Sequence, residues 1–149
     1  MQKLVLGSNS PRRSELLAKM GFAFERVSID CDESFDDKLP VLKVAEYLAQ
    51  KKAEAYSNLG EHEVLITADT TVVCDHKILN KPEDAAEAHR MLQMLSGRTH
   101  QVVTGVCLCT LQKLEVFSRI TSVYVSPISE EDIRHYVSEY KPFDKAGAY

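Results

Sequence analysis

Two β-rich runs, HQVVTGVCLCT (100–110) and LEVFSRITSVYV (114–125), are separated only by Leu111, Gln112 and Lys113. A connection that short predicts antiparallel neighbours, because parallel strands need a crossover of a dozen residues or more. The chain is therefore expected to carry a long hairpin. Elsewhere, strand patterns are interleaved with helical ones. The order predicts a mixed α/β fold rather than a strict βαβ succession.

The first strand is read at KLVLG (3–7) and leads into a small polar turn, Ser8-Asn9-Ser10. Ser10 is placed to cap a helix that has Pro11 at its first position. Leu16, Leu17 and Met20 are the expected apolar face of that helix, and Gly21 its stop. FAFERVSI (22–29) reads as a strand, followed by the acidic loop DCDESFDD (30–37). A helix over about Pro40–Tyr56 carries the stripe Val41, Val44, Ala45 and Leu48, whose next position is Lys52. EVLITADTTVV (63–73) is a strand with an acid near its middle, and CDHK (74–77) a turn. Residues 81–97 form a helix with Ala88, Met91, Leu92 and Leu95 inside and Gly97 as stop. Ser129 and Asp132 resemble a capping box for a last helix, with Ile133, Tyr136, Val137 and Tyr140 on one face and Pro142 barring its continuation.

A chain of 149 residues, 44% hydrophobic and 27% charged, suits one soluble domain whose core needs neither metal nor disulfide to hold it. Its formal charge of −4 argues against non-specific nucleic-acid binding and polybasic membrane attachment. No signal-like start and no bilayer-length apolar run is read, so a cytoplasmic location is expected. Cys31, Cys74, Cys107 and Cys109 include no Cys-x-x-Cys pair and are expected as buried free thiols. No His-x-His or His-x-x-x-His pair is present, which argues against zinc.

Chemistry is suggested by a few residues. Arg12 and Arg13 fall in the first turn of a helix, where the macrodipole disfavours cations by about 0.3–1 kcal/mol each. An anion bound at the helix start would remove that conflict, and guanidinium forks suit phosphate oxygens. The plain alternative is a capped surface helix whose arginines pair with Glu15 or other carboxylates. No P-loop pattern is present. Lys52 either snorkels from the core edge or points into a cleft toward an anion. Lys51, turned about 100° from it, is expected to be solvated. Asp69 interrupts an apolar strand, where an isolated carboxylate is costly; it could ligate a hard cation, act as a base toward water, or cap a turn. Glu33 sits among Asp30, Asp32, Asp36 and Asp37, and spacing singles out none of them. Lys81 is a loop lysine. Together these suggest metal-assisted chemistry on a phosphorylated small molecule.

The stretches SNSPRRSELL, ADTTVV, NKPED and DKAGAY, in this order and across essentially the whole chain, resemble the Maf-like nucleoside triphosphate pyrophosphatases. The resemblance implies a two-lobed mixed α/β fold, akin to the inosine triphosphate pyrophosphatases, with the site in a central cleft. It implies hydrolysis between the α and β phosphates, giving a monophosphate and pyrophosphate, with a divalent cation, Mg or Mn. It assigns Asp69 as base, Glu33 as support for metal and water, and Lys52 to the catalytic group. Ser8, Ser10, Arg12, Arg13, Thr70 and Lys81 become substrate contacts, and Glu33 with Asp69 the metal ligands. Paired arginines and Asp69-Thr70 point to the branch acting on dTTP, UTP and modified pyrimidine nucleotides, in a house-cleaning role. The resemblance also implies a homodimer, and a single Maf-like domain over 1–149 lacking the family domain's C-terminal part. The alternative is a nucleotide-binding regulator of septum formation without significant turnover.

Overall fold

In the computed structural model, which describes residues 2–149, β1 (Lys3–Gly7) is followed by helix α1 (Pro11–Lys19) and the short strand β2 (Phe24–Val27). A single 3₁₀ turn at Val41–Lys43 precedes α2 (Val44–Glu54). Next come β3 (Glu63–Cys74), β4 (Lys77–Leu79), α3 (Ala85–Leu95), β5 (Thr99–Cys109), β6 (Leu114–Tyr124) and α4 (Glu130–Tyr140). The strands form a mixed sheet in the order β2-β1-β3-β5-β6, with β4 paired to β3. β1 runs parallel to both β2 and β3, while β4 is antiparallel to β3. The hairpin forms as expected: β5 and β6 are neighbours, and the Thr110 amide donates to the Lys113 carbonyl (2.8 Å) to close the turn.

The chain divides into two compact units, Met1–Asp69 with Thr104–Arg119, and Thr70–Val103 with Ile120–Tyr149. The core of the first unit gathers Val5 from β1, Ala49 and Ala53 from α2, Leu65 from β3 and Cys107 from β5. Helix and sheet are drawn close there by a glycine. A Cβ on Gly105 would overlap the Ala45 carbonyl and the Glu46 amide, so only hydrogen fits. The second unit is built on Val72, Leu79, Met91, Leu92, Leu95, Ile133 and Val137. There Gly147, at φ +73°, packs beside Val72, and Ala148 is fully buried.

Helices with a clean apolar period bury most of the residues read for them, but α3 spans Ala85–Leu95 rather than 81–97 and Tyr140 leaves the apolar face of α4. Ala88, Met91, Leu92 and Leu95 of α3 are all buried, and Asp84 caps it by accepting from the Glu87 amide (2.7 Å). Helix α4 is capped by Ser129, which accepts from the Asp132 amide (3.1 Å). Its outer tyrosine, Tyr140, is exposed and lies against Tyr136. The expected strand over 22–29 contracts to Phe24–Val27, and Phe22 is half exposed. The expected α1 face is corrected more sharply. Leu16 and Met20 are 61% and 69% exposed, and the partly buried side is Arg13, Ser14 and Leu17, rotated from the apolar one. All four cysteines are free, but only Cys74 and Cys107 are buried. Among the described residues, no helix is long and apolar enough to cross a membrane.

Candidate functional site

The register of β1 on β3 decides where the polar turn falls. Leu6 pairs with Ile66, and a Cβ on Gly7 would lie 3.1 Å from the Thr67 side chain. β1 then stops while β3 runs on through Ala68 and Asp69. The turn Ser8–Ser10 and the start of α1 thus follow the C-terminal end of a parallel strand, the end where α/β sheets place their ligands. Ser8, itself buried, accepts from the Ser10 amide (3.1 Å), and Ser10 accepts from the Arg13 amide (3.4 Å). These bonds fix the entry of α1 and aim Arg13 inward. Its Nη1 donates to the Ala68 carbonyl (3.0 Å). Burial lowers the Arg13 pKa against the pull of the Asp69 charge.

Lys52 reaches the same point from α2. It follows the buried stripe Val44, Ala45, Leu48 by one turn, and its side chain is only 15% exposed. Its Nζ donates to Asp69 Oδ1 (3.0 Å) and to the Ala68 carbonyl (3.2 Å), and lies 3.4 Å from Glu33 Oε1. The Lys52 ammonium thus turns toward these oxygens rather than out to open solvent. Glu33 is the loop acid that faces this ammonium, although it is largely exposed.

Asp69 has opposing influences. Burial raises its pKa, while the charge and hydrogen bond of Lys52 and the charge of Arg13 lower it; Glu33 adds a smaller upward push. Burial wins, so the carboxyl is a better proton acceptor than a solvated one. Asp69 Oδ1 and Glu33 Oε1 both face the Lys52 ammonium, so the two acids share one small neighbourhood. Carboxylate oxygens are the donors a hard divalent ion prefers, and phosphate oxygens and water would have to supply the rest of its shell. Among the described residues, no group of three His, Cys, Asp or Glu forms a ready-made metal cage.

The remaining expected residues fall differently. Arg12 is exposed on the first turn of α1 and makes no ion pair among the described residues. Thr70 follows Asp69 on β3, so strand alternation turns its side chain to the opposite face. Lys81 belongs to the second unit and is exposed just before buried Pro82. Two participants escape a reading of the sequence. The Ala68 carbonyl, bonded by both Lys52 and Arg13, has no side-chain signal at all. Lys51, expected in solvent, donates to the Ser34 carbonyl (2.9 Å) in the acidic loop.

A family model described as Maf-like protein matches residues 3–149. A dTTP/UTP pyrophosphatase of Porphyromonas gingivalis is 48% identical over 151 aligned positions, covering 99% of this chain and 76% of that protein. A protein of the same name from Bacteroides thetaiotaomicron is 46% identical, covering 99% and 77%. One from Flavobacterium psychrophilum is 42% identical, covering 99% and 76%. Among solved structures, a HAM1 protein from Coxiella burnetii superposes with a TM-score of 0.51 at 12% identity. That match covers 82% of this chain and 72% of the other, and shows the fold alone.

Proposed function

Because the chain belongs to the Maf-like family, we propose that it is a nucleoside triphosphate pyrophosphatase acting on dTTP, UTP and modified pyrimidine nucleotides. The reaction is hydrolysis of the α–β linkage to the monophosphate and pyrophosphate. The names of the relatives support the substrate class. The observation that carries the reading is the meeting of Lys52, Asp69, Glu33 and Arg13 at the end of β1. A partly buried base, a second carboxylate and two cations together suit attack of water on a phosphorus centre.

In this mechanism Arg12 and Arg13 bind phosphate oxygens, with the polar turn Ser8–Ser10 and the α1 N-terminus behind them. Lys52 engages Asp69 Oδ1, which orients the carboxylate and leaves Oδ2 to accept the proton from the attacking water. Glu33 and Asp69 would hold a Mg²⁺ or Mn²⁺ ion beside the Lys52 ammonium rather than in its place, and its chemistry would be to draw charge from the phosphates. Thr70 and Lys81 are assigned to substrate contact through the family pattern. A nucleotide-binding regulator without turnover could use Asp69 to hold a cation but would not need its raised proton affinity, which favours the hydrolytic reading.

The test is a panel of pyrimidine and purine nucleoside triphosphates assayed for pyrophosphate and for orthophosphate, with and without Mg²⁺ or Mn²⁺. Pyrophosphate release, fastest from dTTP and UTP and dependent on metal, is expected. Orthophosphate as first product, or turnover indifferent to Asp69→Asn, would overturn the proposal.

A further inference from the structure

Two adjacent lysines of α2 grip three consecutive residues of the acidic loop. Lys52 Nζ faces Glu33 Oε1 at 3.4 Å. Lys51 Nζ, about 100° around the helix, donates to the Ser34 carbonyl at 2.9 Å and lies 3.8 Å from Asp32 Oδ2. Asp32 closes a tight local turn, its Oδ1 accepting from the Ser34 amide (3.0 Å) and its Oδ2 from the Ser34 hydroxyl (2.7 Å). Glu33 is the middle residue of that turn. The Tyr47 ring, one turn back on α2, lies 5.8 Å from the Lys51 ammonium and lines its path.

We infer that Lys51 is the positioning residue for Glu33, fixing the Asp32–Ser34 turn so that the Glu33 carboxylate faces Lys52 and Asp69. The inference rests on the role of Glu33 proposed above. The physical basis is the kind of contact made. Thirteen residues separate β2 from the 3₁₀ turn ahead of α2, and none of them lies in a helix or strand. Glu33 and Asp32 are largely exposed, so their own burial does not fix where the loop sits. A hydrogen bond to a main-chain carbonyl fixes the course of the chain, where an exposed ion pair alone would be weak and readily exchanged. Lys51 supplies that bond from a helix whose opposite side is core.

The experiment compares the unmodified protein with Lys51→Met, Lys51→Arg, Glu33→Gln and the double variant Lys51→Met/Glu33→Gln. It reads steady-state pyrophosphate release and hydrogen exchange of the amides over 30–37. Lys51→Met is expected to lower kcat about tenfold, the scale seen when partners that orient a ligand residue are removed. KM should hold, since Lys51 contacts no phosphate. Exchange over 30–37 should quicken while that of α2 stays slow. Lys51→Arg keeps a donor for the Ser34 carbonyl and should restore most of kcat. The double variant should be no slower than Glu33→Gln alone, because the two act as one unit. Unchanged loop exchange or full activity in Lys51→Met, beside an impaired Glu33→Gln, overturns the Lys51 inference alone. So do losses that multiply in the double variant. A fully active Glu33→Gln overturns the reading of Glu33 itself, and the inference falls with it.

Discussion

At the scale of single residues, the charged form of Asp69 is an expense to the fold. Its folded pKa is raised above the unfolded value of about 3.8. The folded state therefore binds the proton more tightly, and stability falls as pH rises from that value through the folded pKa. Asp69→Asn removes this burden. The expected outcome is an equal or higher melting temperature at pH 7 with kcat reduced by about 10²–10⁴, the usual contribution of a general base. Calorimetry and the pyrophosphate assay read the two halves separately. Lys52→Met behaves in the opposite way. It leaves the Asp69 carboxylate partly buried without its ammonium, so the melting temperature should fall at pH 7 and recover as the pH is lowered and Asp69 takes up a proton. Adding Asp69→Asn to Lys52→Met should restore stability but not turnover. A Lys52→Met protein as stable as the parent at every pH would mean that the ion pair contributes nothing to folding.

At the scale of elements, what could be read from the sequence tracks how local its cause is. The β5–β6 hairpin was legible because a short connection permits one geometry. The α3 stripe was legible because one buried face repeats at helical spacing. The α1 face was not. Its orientation follows from Arg13 bonding a carbonyl 55 residues away, a contact without an apolar period. Asp69 and Lys52 stood out as polar residues on apolar tracks, and the structure brings them together. Lys51 gave no such signal, because its partner is a main-chain oxygen. Glu33 could not be told from its acidic neighbours for a related reason: what selects it is the path of an irregular loop. Gly105 shows the same limit within β5, where nothing but the approach of α2 demands a glycine. Gly105→Ala forces backbone apart rather than a flexible side chain. It should cost about 3 kcal/mol, the upper end for overpacking, in a chemical denaturation measurement. A loss below about 1 kcal/mol would show that α2 moves away freely.

At the scale of the whole molecule, a loss of stability on mild acidification is expected from a histidine of the second unit. His100 on β5 is 2% exposed, its Nε2 is 2.6 Å from the Tyr149 hydroxyl, and its Nδ1 has no partner among the described residues. The two rings meet edge to face, with centroids 5.6 Å apart. An imidazolium has two N–H groups and would need two acceptors, whereas this site offers one oxygen. Burial accordingly lowers the His100 pKa below its ordinary 6.5. The unfolded chain then binds the proton first as pH falls. Stability is full above about 6.5 and declines as the pH drops from there toward the folded pKa, opposite in sign to the contribution of Asp69. The two windows differ, since Asp69 acts from about 3.8 upward and His100 from 6.5 downward. Thermal melts at pH 7.5, 6.5 and 5.5 should show a falling melting temperature in the unmodified protein. In His100→Gln, which cannot be protonated, the fall should be shallower by the share that His100 contributes. Tyr149→Phe removes the hydroxyl and should lower stability at all three pH values, because it leaves Nε2 buried without a partner. An unmodified protein and a His100→Gln variant with parallel pH profiles would show that this histidine is not the source of the acid sensitivity.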